Sequence, residues 1–223
     1  MTRNLIVGAV AVAGIALLLS SNAWAEEGTE AAAATEAKLV RLEGSAELAG
    51  PADMSFQPVS AGTILPMAGT VRVAQGGKAH IQLPNGAVLF LKEFSIVRLN
   101  DLSNDAAVEL AVPYGEFLVG MKTPPADGKS FKIVTPAATA DIRGSVMWGK
   151  VNPDLSATFG SLTGTLAVTH PEKAVEVGQG QSCDIKFKEA PADPATMMMA
   201  DNYAQTFAID GSLEGLPEQP KEN

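Results

Sequence analysis

From Lys38 to about Phe187, apolar and polar residues take turns along the chain, with breaks at Gly, Pro, Asn or Asp. The stretch KLVRLEGSAEL alternates and stops at Gly44. KAHIQLP sets Ala79, Ile81 and Leu83 on one side and His80 and Gln82 on the other, the period of two expected of a strand. Pro84-Asn85-Gly86 marks a tight turn, because Asn and Gly accept the positive φ that such turns need. GTVRV, AVLFLKE, SIVRL, KSFKIVTP, SVMWGKV, LSATFG, GTLAVT, AVEVG and CDIKF continue the series, and AVELAVPYGEFLVGMK reads as a strand pair hinged at Pro113 to Gly115. Short strands at this spacing predict an all-β domain over 38–187, as a β-helix-like roll or a β-sandwich.

The pattern changes after Phe187. KEAPADPATMMMADNYAQTFAIDG holds the one helical pattern, over Pro194 to Ile209. Met197, Met198, Phe207 and Ala208 give it a sticky face, which either packs back on the β-domain or binds a partner. Gly211 to Asn223 reads as a disordered tail. Residues 188–223 are thus expected to form a short C-terminal helix and tail.

At the other end, Arg3 precedes fifteen apolar or Gly residues, Leu5 to Leu19, and then Ala23-Trp24-Ala25. This is the pattern of a cleaved Sec-type signal peptide, with the cut expected after Ala25. A membrane span needs about 20 apolar residues, so the run is short for an anchor, and no second long run follows. The expected location is periplasmic or extracellular, with no span after cleavage. Residues 26–37, EEGTEAAAATEA, read as a flexible linker.

Cleavage removes one base, Arg3, and no acid, so the formal charge goes from −9 to −10. Such a chain is repelled by phosphate backbones, which excludes nucleic acid as a partner. Cys183 is the only cysteine, so no internal disulfide forms. With no base beside it, the thiol reads as a small buried hydrophobe. Eight Phe, two Tyr and two Trp leave an aliphatic core.

Chemistry is sparse. The two His, His80 and His170, lack carboxylate partners at a telling spacing; the alternation puts His80 outward, toward solvent. No metal motif occurs, and no cofactor is implied. Gly160 to Gly164 carries Leu162 where a nucleophile elbow needs its nucleophile, and the Gly178-Gln179-Gly180 run has Cys183 in place of a third glycine. Glu109 and Glu116 could sit on neighbouring strands, and Asp101 and Asp105 in one loop, but with 25 acids chance pairs are expected.

The ordered set AGTILPMAGTVRV at 61–73, AHIQLPNGAVLFLKEFSIVRL at 79–99, VELAVPYGEFLV at 108–119, FKIVTPAATADIRGSVMWGKV at 131–151, GTLAV at 164–168 and VEVGQGQS at 175–182 resembles the FecR domain family of bacterial envelope proteins. The likeness runs over about 38–187. It implies an all-β fold. Regulators in that family pass a signal from an outer-membrane receptor to a cytoplasmic sigma factor. Only Thr2 to Asn4 precede the apolar run here, so the expectation is an exported, free-standing member without the sigma-control part. The family motif falls on Thr135, Pro136, Arg143, Gly144 and Ser145. Thr135-Pro136 is expected to end a strand, since Pro lacks the ladder N–H. Arg143-Gly144-Ser145 is expected to begin the next. Some family regulators cleave themselves at a Gly-Thr bond; Ser145 stands in place of that Thr, with no neighbouring base.

The chain therefore reads as a non-catalytic envelope interaction, signalling or scaffold module. Arg143, Met197, Met198 and Phe207 are its candidate partner-binding residues, and an envelope protein is the expected partner. The alternative is a glycan- or peptidoglycan-binding module using Trp148 and Tyr114. A self-processing protein cut at Gly144-Ser145 is the third reading. Oligomeric state stays open.

Overall fold

A computed structural model describes residues 36–53, 55–102, 107–121, 130–143, 146–198, 203–214 and 216. The alternating stretches form β1 (Ala37–Glu43), β2 (Ala46–Ala49), β3 (Gln57–Val59), β4 (Ile64–Leu65), β5 (Thr70–Val73), β6 (Lys78–Gln82), β7 (Val88–Leu91) and β8 (Ile96–Asp101). β9 (Ala107–Gly120) follows, then β10 (Ser130–Val134), β11 (Thr139–Ile142), β12 (Val146–Val151) and β13 (Ala157–Thr163). β14 (Leu166–His170), β15 (Lys173–Val177), β16 (Gln181–Ile185) and β17 (Ala195–Thr196) complete them, before a 3-10 helix at Tyr203–Phe207.

The ladders make two sheets. Sheet I runs β4-β1-β6-β7-β9-β12-β13-β16-β17, antiparallel throughout. Sheet II runs β3-β2-β5-β8-β9-β10-β11-β14-β15, with β9 and β10 parallel and the other pairs antiparallel. Inward residues of sheet I such as Leu39, Ile81 and Phe117 share one buried core with Val71, Leu110 and Ile133 of sheet II. This is the all-β architecture of many short strands that the alternation predicts.

β9 belongs to both sheets. Its first part pairs with β8 and β10, and Gly115–Gly120 pairs with β7 and β12. The strand turns the corner at Gly115, whose φ is +113°. A Cβ there would lie 2.4 Å from Ser95 Cα, so only Gly fits both the angle and the approach. Ser95 holds the corner: its hydroxyl donates to Glu116 O at 3.0 Å and accepts from Glu116 N at 3.1 Å. The expected pair of strands hinged at Pro113 to Gly115 is thus one bent strand.

Other expectations change too. The helix expected over 194–209 is a strand at Ala195–Thr196 and a short 3-10 helix at Tyr203–Phe207. Ala195 and Thr196 pair with Ser182 and Gln181 of β16 instead. The tail expected from Gly211 is packed as far as described: Leu213 and Leu216 lie against buried residues. Among the described residues no helix is long and apolar enough to cross a membrane.

Candidate functional site: the covered outer face of sheet I

Several strands of sheet I are apolar on both faces. Val88 to Leu91 are all buried, as are Phe117 to Gly120 and Val146 to Gly149. The inward members belong to the inter-sheet core. The outward members, Val88, Phe90, Leu118, Val146 and Trp148, form a second cluster with Phe207. Tyr203, Ala204, Leu213 and Leu216 pack against it. The segment 203–214 thus lies across the outer face of sheet I as a strap.

One carboxylate organises the contact. Glu116 Oε1 accepts from Trp148 Nε1 at 3.1 Å, from Lys92 Nζ at 3.1 Å and from the Tyr203 hydroxyl. Lys92 Nζ also donates to Tyr203 Oη at 3.2 Å and lies 4.4 Å from the ring centres of both Tyr203 and Phe207. Burial pushes the Glu116 carboxyl up, but the hydrogen bonds from Tyr203, Trp148 and Lys92, with the Lys92 charge, outweigh it and hold the group below its ordinary value. The Tyr203 hydroxyl is raised, by burial first and then by its bond to the Glu116 carboxylate.

Backbone carbonyls of the strap are met by side chains of β6. His80 Nε2 is 2.8 Å from Phe207 O, and Lys78 Nζ donates to Ala208 O at 3.0 Å. Arg41 Nη2 pairs with Glu214 Oε2 at 3.1 Å. His80 is therefore not solvated; it is 1% exposed, edge-on to Phe90 with ring centres 4.7 Å apart. It does face outward, as the alternation predicts, but the strap covers that face. Burial lowers its pKa, and the positive charges of Arg41 and Lys78 add to this against the pull of the Phe207 carbonyl. Beside it an open cleft of about 260 Å³ is lined by Val40, Arg41, His80, Gln82, Gly86, Val88 and Glu214.

The other sequence-singled residues are scattered. Thr135 closes the β10–β11 turn: its hydroxyl donates to Ala138 O at 2.8 Å and accepts from Ala138 N at 3.2 Å, with Pro136 exposed. β10 does end before Thr135, but β11 intervenes before Arg143, so the Arg-Gly-Ser stretch links β11 of sheet II to β12 of sheet I. Arg143 is exposed, with its N–H on Thr165 O at 3.1 Å. Gly144 and Ser145 lie outside the described residues. Met197 is seated: its Sδ would be 2.6 Å from a Cβ on Gly160. Met198 is 98% exposed and Phe207 fully buried, so these three do not share a face. Glu109 and Glu116 sit on the same strand in opposite halves, Glu109 accepting from Asn100 Nδ2 at 3.0 Å. Cys183 is buried, and its thiol donates to Ala192 O at 3.1 Å; burial, and then Asp184, push it up to about 11. No group of three His, Cys, Asp or Glu among the described residues is placed to hold a metal ion.

Sequence reasoning missed Lys92, Ser95 and Tyr203, and considered Glu116 only as a chance pair with Glu109. A signal for the covered face was present. The runs AVLFL at 87–91 and FLVGM at 117–121 hold no polar side chain rather than alternating, which marks strands buried on both sides.

Residues 69–165 match the family described as FecR protein. Over that stretch, under half of its length, the chain is similar to FecR domains. The floor of the covered face, Val88 to Trp148, lies within the FecR match, and the strap lies outside it. Among solved structures, the fold is similar to two crystal structures of a protein described as a "putative anti-sigma factor" from Parabacteroides distasonis ATCC 8503. Each has a TM-score of 0.50 and 18% identity, over 57% of this chain and 59% of that one. At that identity the likeness is one of fold, and this chain spans only 59% of the neighbour's length. No curated protein matches the chain.

Proposed function

We propose that this protein is an exported, non-catalytic FecR-domain module that binds another protein of the cell envelope and acts there in signalling or as a scaffold. The observation that carries this reading is the FecR match over residues 69–165. The signal-peptide pattern at residues 1–25 supports export. The polar groups of the best-built site are spent on one another: Glu116 is taken by Tyr203, Trp148 and Lys92. That is the arrangement of a structural latch. Arg143 and Met198, both exposed, remain available to a partner.

The glycan reading has less support. Trp148 is covered by Tyr203, 6.0 Å away edge-on, and Tyr114 pairs with Ile96 at the corner of β9. The two rings present no common platform.

The test is crosslinking in intact cells, denaturing capture of the tagged chain, and mass spectrometry of what is attached. Reproducible attachment to one or two envelope proteins is expected. Attachment only to cell-wall glycan would replace this reading. Intact mass of the captured chain, expected to begin at Glu26, checks the export step, and a fragment beginning at Ser145 would point to self-processing.

A further inference from the structure

Four observations bear on the strap. First, it joins neither sheet by a ladder; its described bridges, Ile209 with Ser212 and Glu214 with Leu216, are internal. Second, the inter-sheet core contains no strap residue, so the sandwich is complete without it. Third, the face beneath it is cationic where the strap offers oxygen. Arg41 meets the Glu214 carboxylate, Lys78 and His80 meet carbonyls, and Lys92 meets a hydroxyl, in a chain of net charge −9. Fourth, the strap leaves part of the groove unfilled, the cleft of about 260 Å³ beside Glu214. An element with no ladder to the sheets, outside the main core, opens without global unfolding.

We propose that the outer face of sheet I is a peptide-docking groove. The chain's own strap occupies it here, and a partner's segment displaces the strap. The proposal rests on the interaction-module reading and names its surface. The groove specifies the incoming segment: two aromatic side chains four residues apart in a helical turn, as Tyr203 and Phe207 are, and a carboxylate further along for Arg41. The rings cover Phe90 and Trp148, and turn carbonyls accept from Lys78 and His80. This is helix-in-groove recognition with an acidic end. The strap is then a resident competitor, and the partner's apparent affinity falls by the fraction of chains whose groove is closed.

The test uses the chain 26–223 and a fluorescein-labelled peptide of residues 203–214, YAQTFAIDGSLE. In Y203A/F207A the resident strap is weakened. Fluorescence polarisation is expected to show the peptide binding this variant at least ten-fold more tightly than the parent. The emission of Trp148, the one Trp after residue 25, is expected to shift red in the variant and return on adding peptide. No peptide binding by a variant whose far-ultraviolet circular dichroism is unchanged would overturn the proposal. Should that variant not fold, hydrogen exchange on the parent decides. Amides of 203–214 that exchange a hundred-fold faster than those of β9 and β12 support displacement; equal rates overturn it. A parent dimer that dissociates in F207A would make a second copy the occupant and overturn the partner assignment. A crosslinked envelope protein in cells without peptide binding here leaves the interaction module standing and removes only the groove.

Discussion

Tyr203 and Glu116, 87 positions apart in the chain, are joined by a hydrogen bond in which the phenol donates to a carboxylate already bound by Trp148 and Lys92. A hydrogen bond to a charged group contributes about 1.5–3 kcal/mol. Tyr203→Phe should therefore cost about 1.5 kcal/mol of strap docking. Thermal melting followed by Trp148 emission checks it. The early, strap-linked change should move to lower temperature while the circular dichroism transition of the sandwich stays near its parent value.

Acid should loosen the same contact in two stages. His80 has its pKa lowered in the fold, so the unfolded chain binds the proton more readily. Its contribution is complete above about pH 6.5 and is lost as pH falls from there through the folded value. Glu116 is also held below its ordinary value, so its contribution is present above the carboxylate range and lost as pH falls through the lowered value. The groups around His80 are Arg41, Lys78, Glu43 and the Phe207 carbonyl. His80→Gln keeps a donor for that carbonyl and removes the titration. Melting temperatures of the parent should fall between pH 7 and pH 5, and those of H80Q should stay flatter. Parallel curves would rule the His80 stage out.

The corner of β9 depends on one glycine. Gly115→Ala puts a methyl 2.4 Å from Ser95 Cα at a φ of +113°. Strain and overpacking together should cost about 3 kcal/mol or more, read from urea unfolding.

A stabilising change is available at Phe94. Its φ is +62° and the residue is 49% exposed. A left-handed conformation costs an ordinary L-residue about 1–2 kcal/mol, and Asn adopts it more readily. Phe94→Asn should raise stability by about 0.5–1 kcal/mol in the same measurement.

Cys183 should be inert while the domain is folded. Its thiol is buried and pushed up to about 11, so almost no thiolate exists at neutral pH. Ellman's reagent should label it only in denaturant. Fast labelling of the native chain would contradict the buried placement.

Much of the fold was legible because a strand's period is local. Alternation gave the strands around Leu39, Ile81 and Val97, and Gly44 and Gly86, with φ of +70° and +80°, punctuate them as their residue types require. The Thr135-Pro136 stop is likewise a matter of neighbouring residues, since Thr135 bonds to Ala138, three residues on. The FecR resemblance was legible for the same reason: it is an ordered set of strand and turn signals, and the family match spans 69–165. Alternation says which residues share a face, but nothing about what covers that face. His80 pointed outward as its position demands, and became buried only because Phe207, 127 residues later, lies over it. Glu116, Lys92, Trp148 and Tyr203 become one network only after β9 bends at Gly115 and crosses from sheet II to sheet I. Local periodicity fixes strands and turns through neighbouring atoms; long-range packing chooses which of their faces meet.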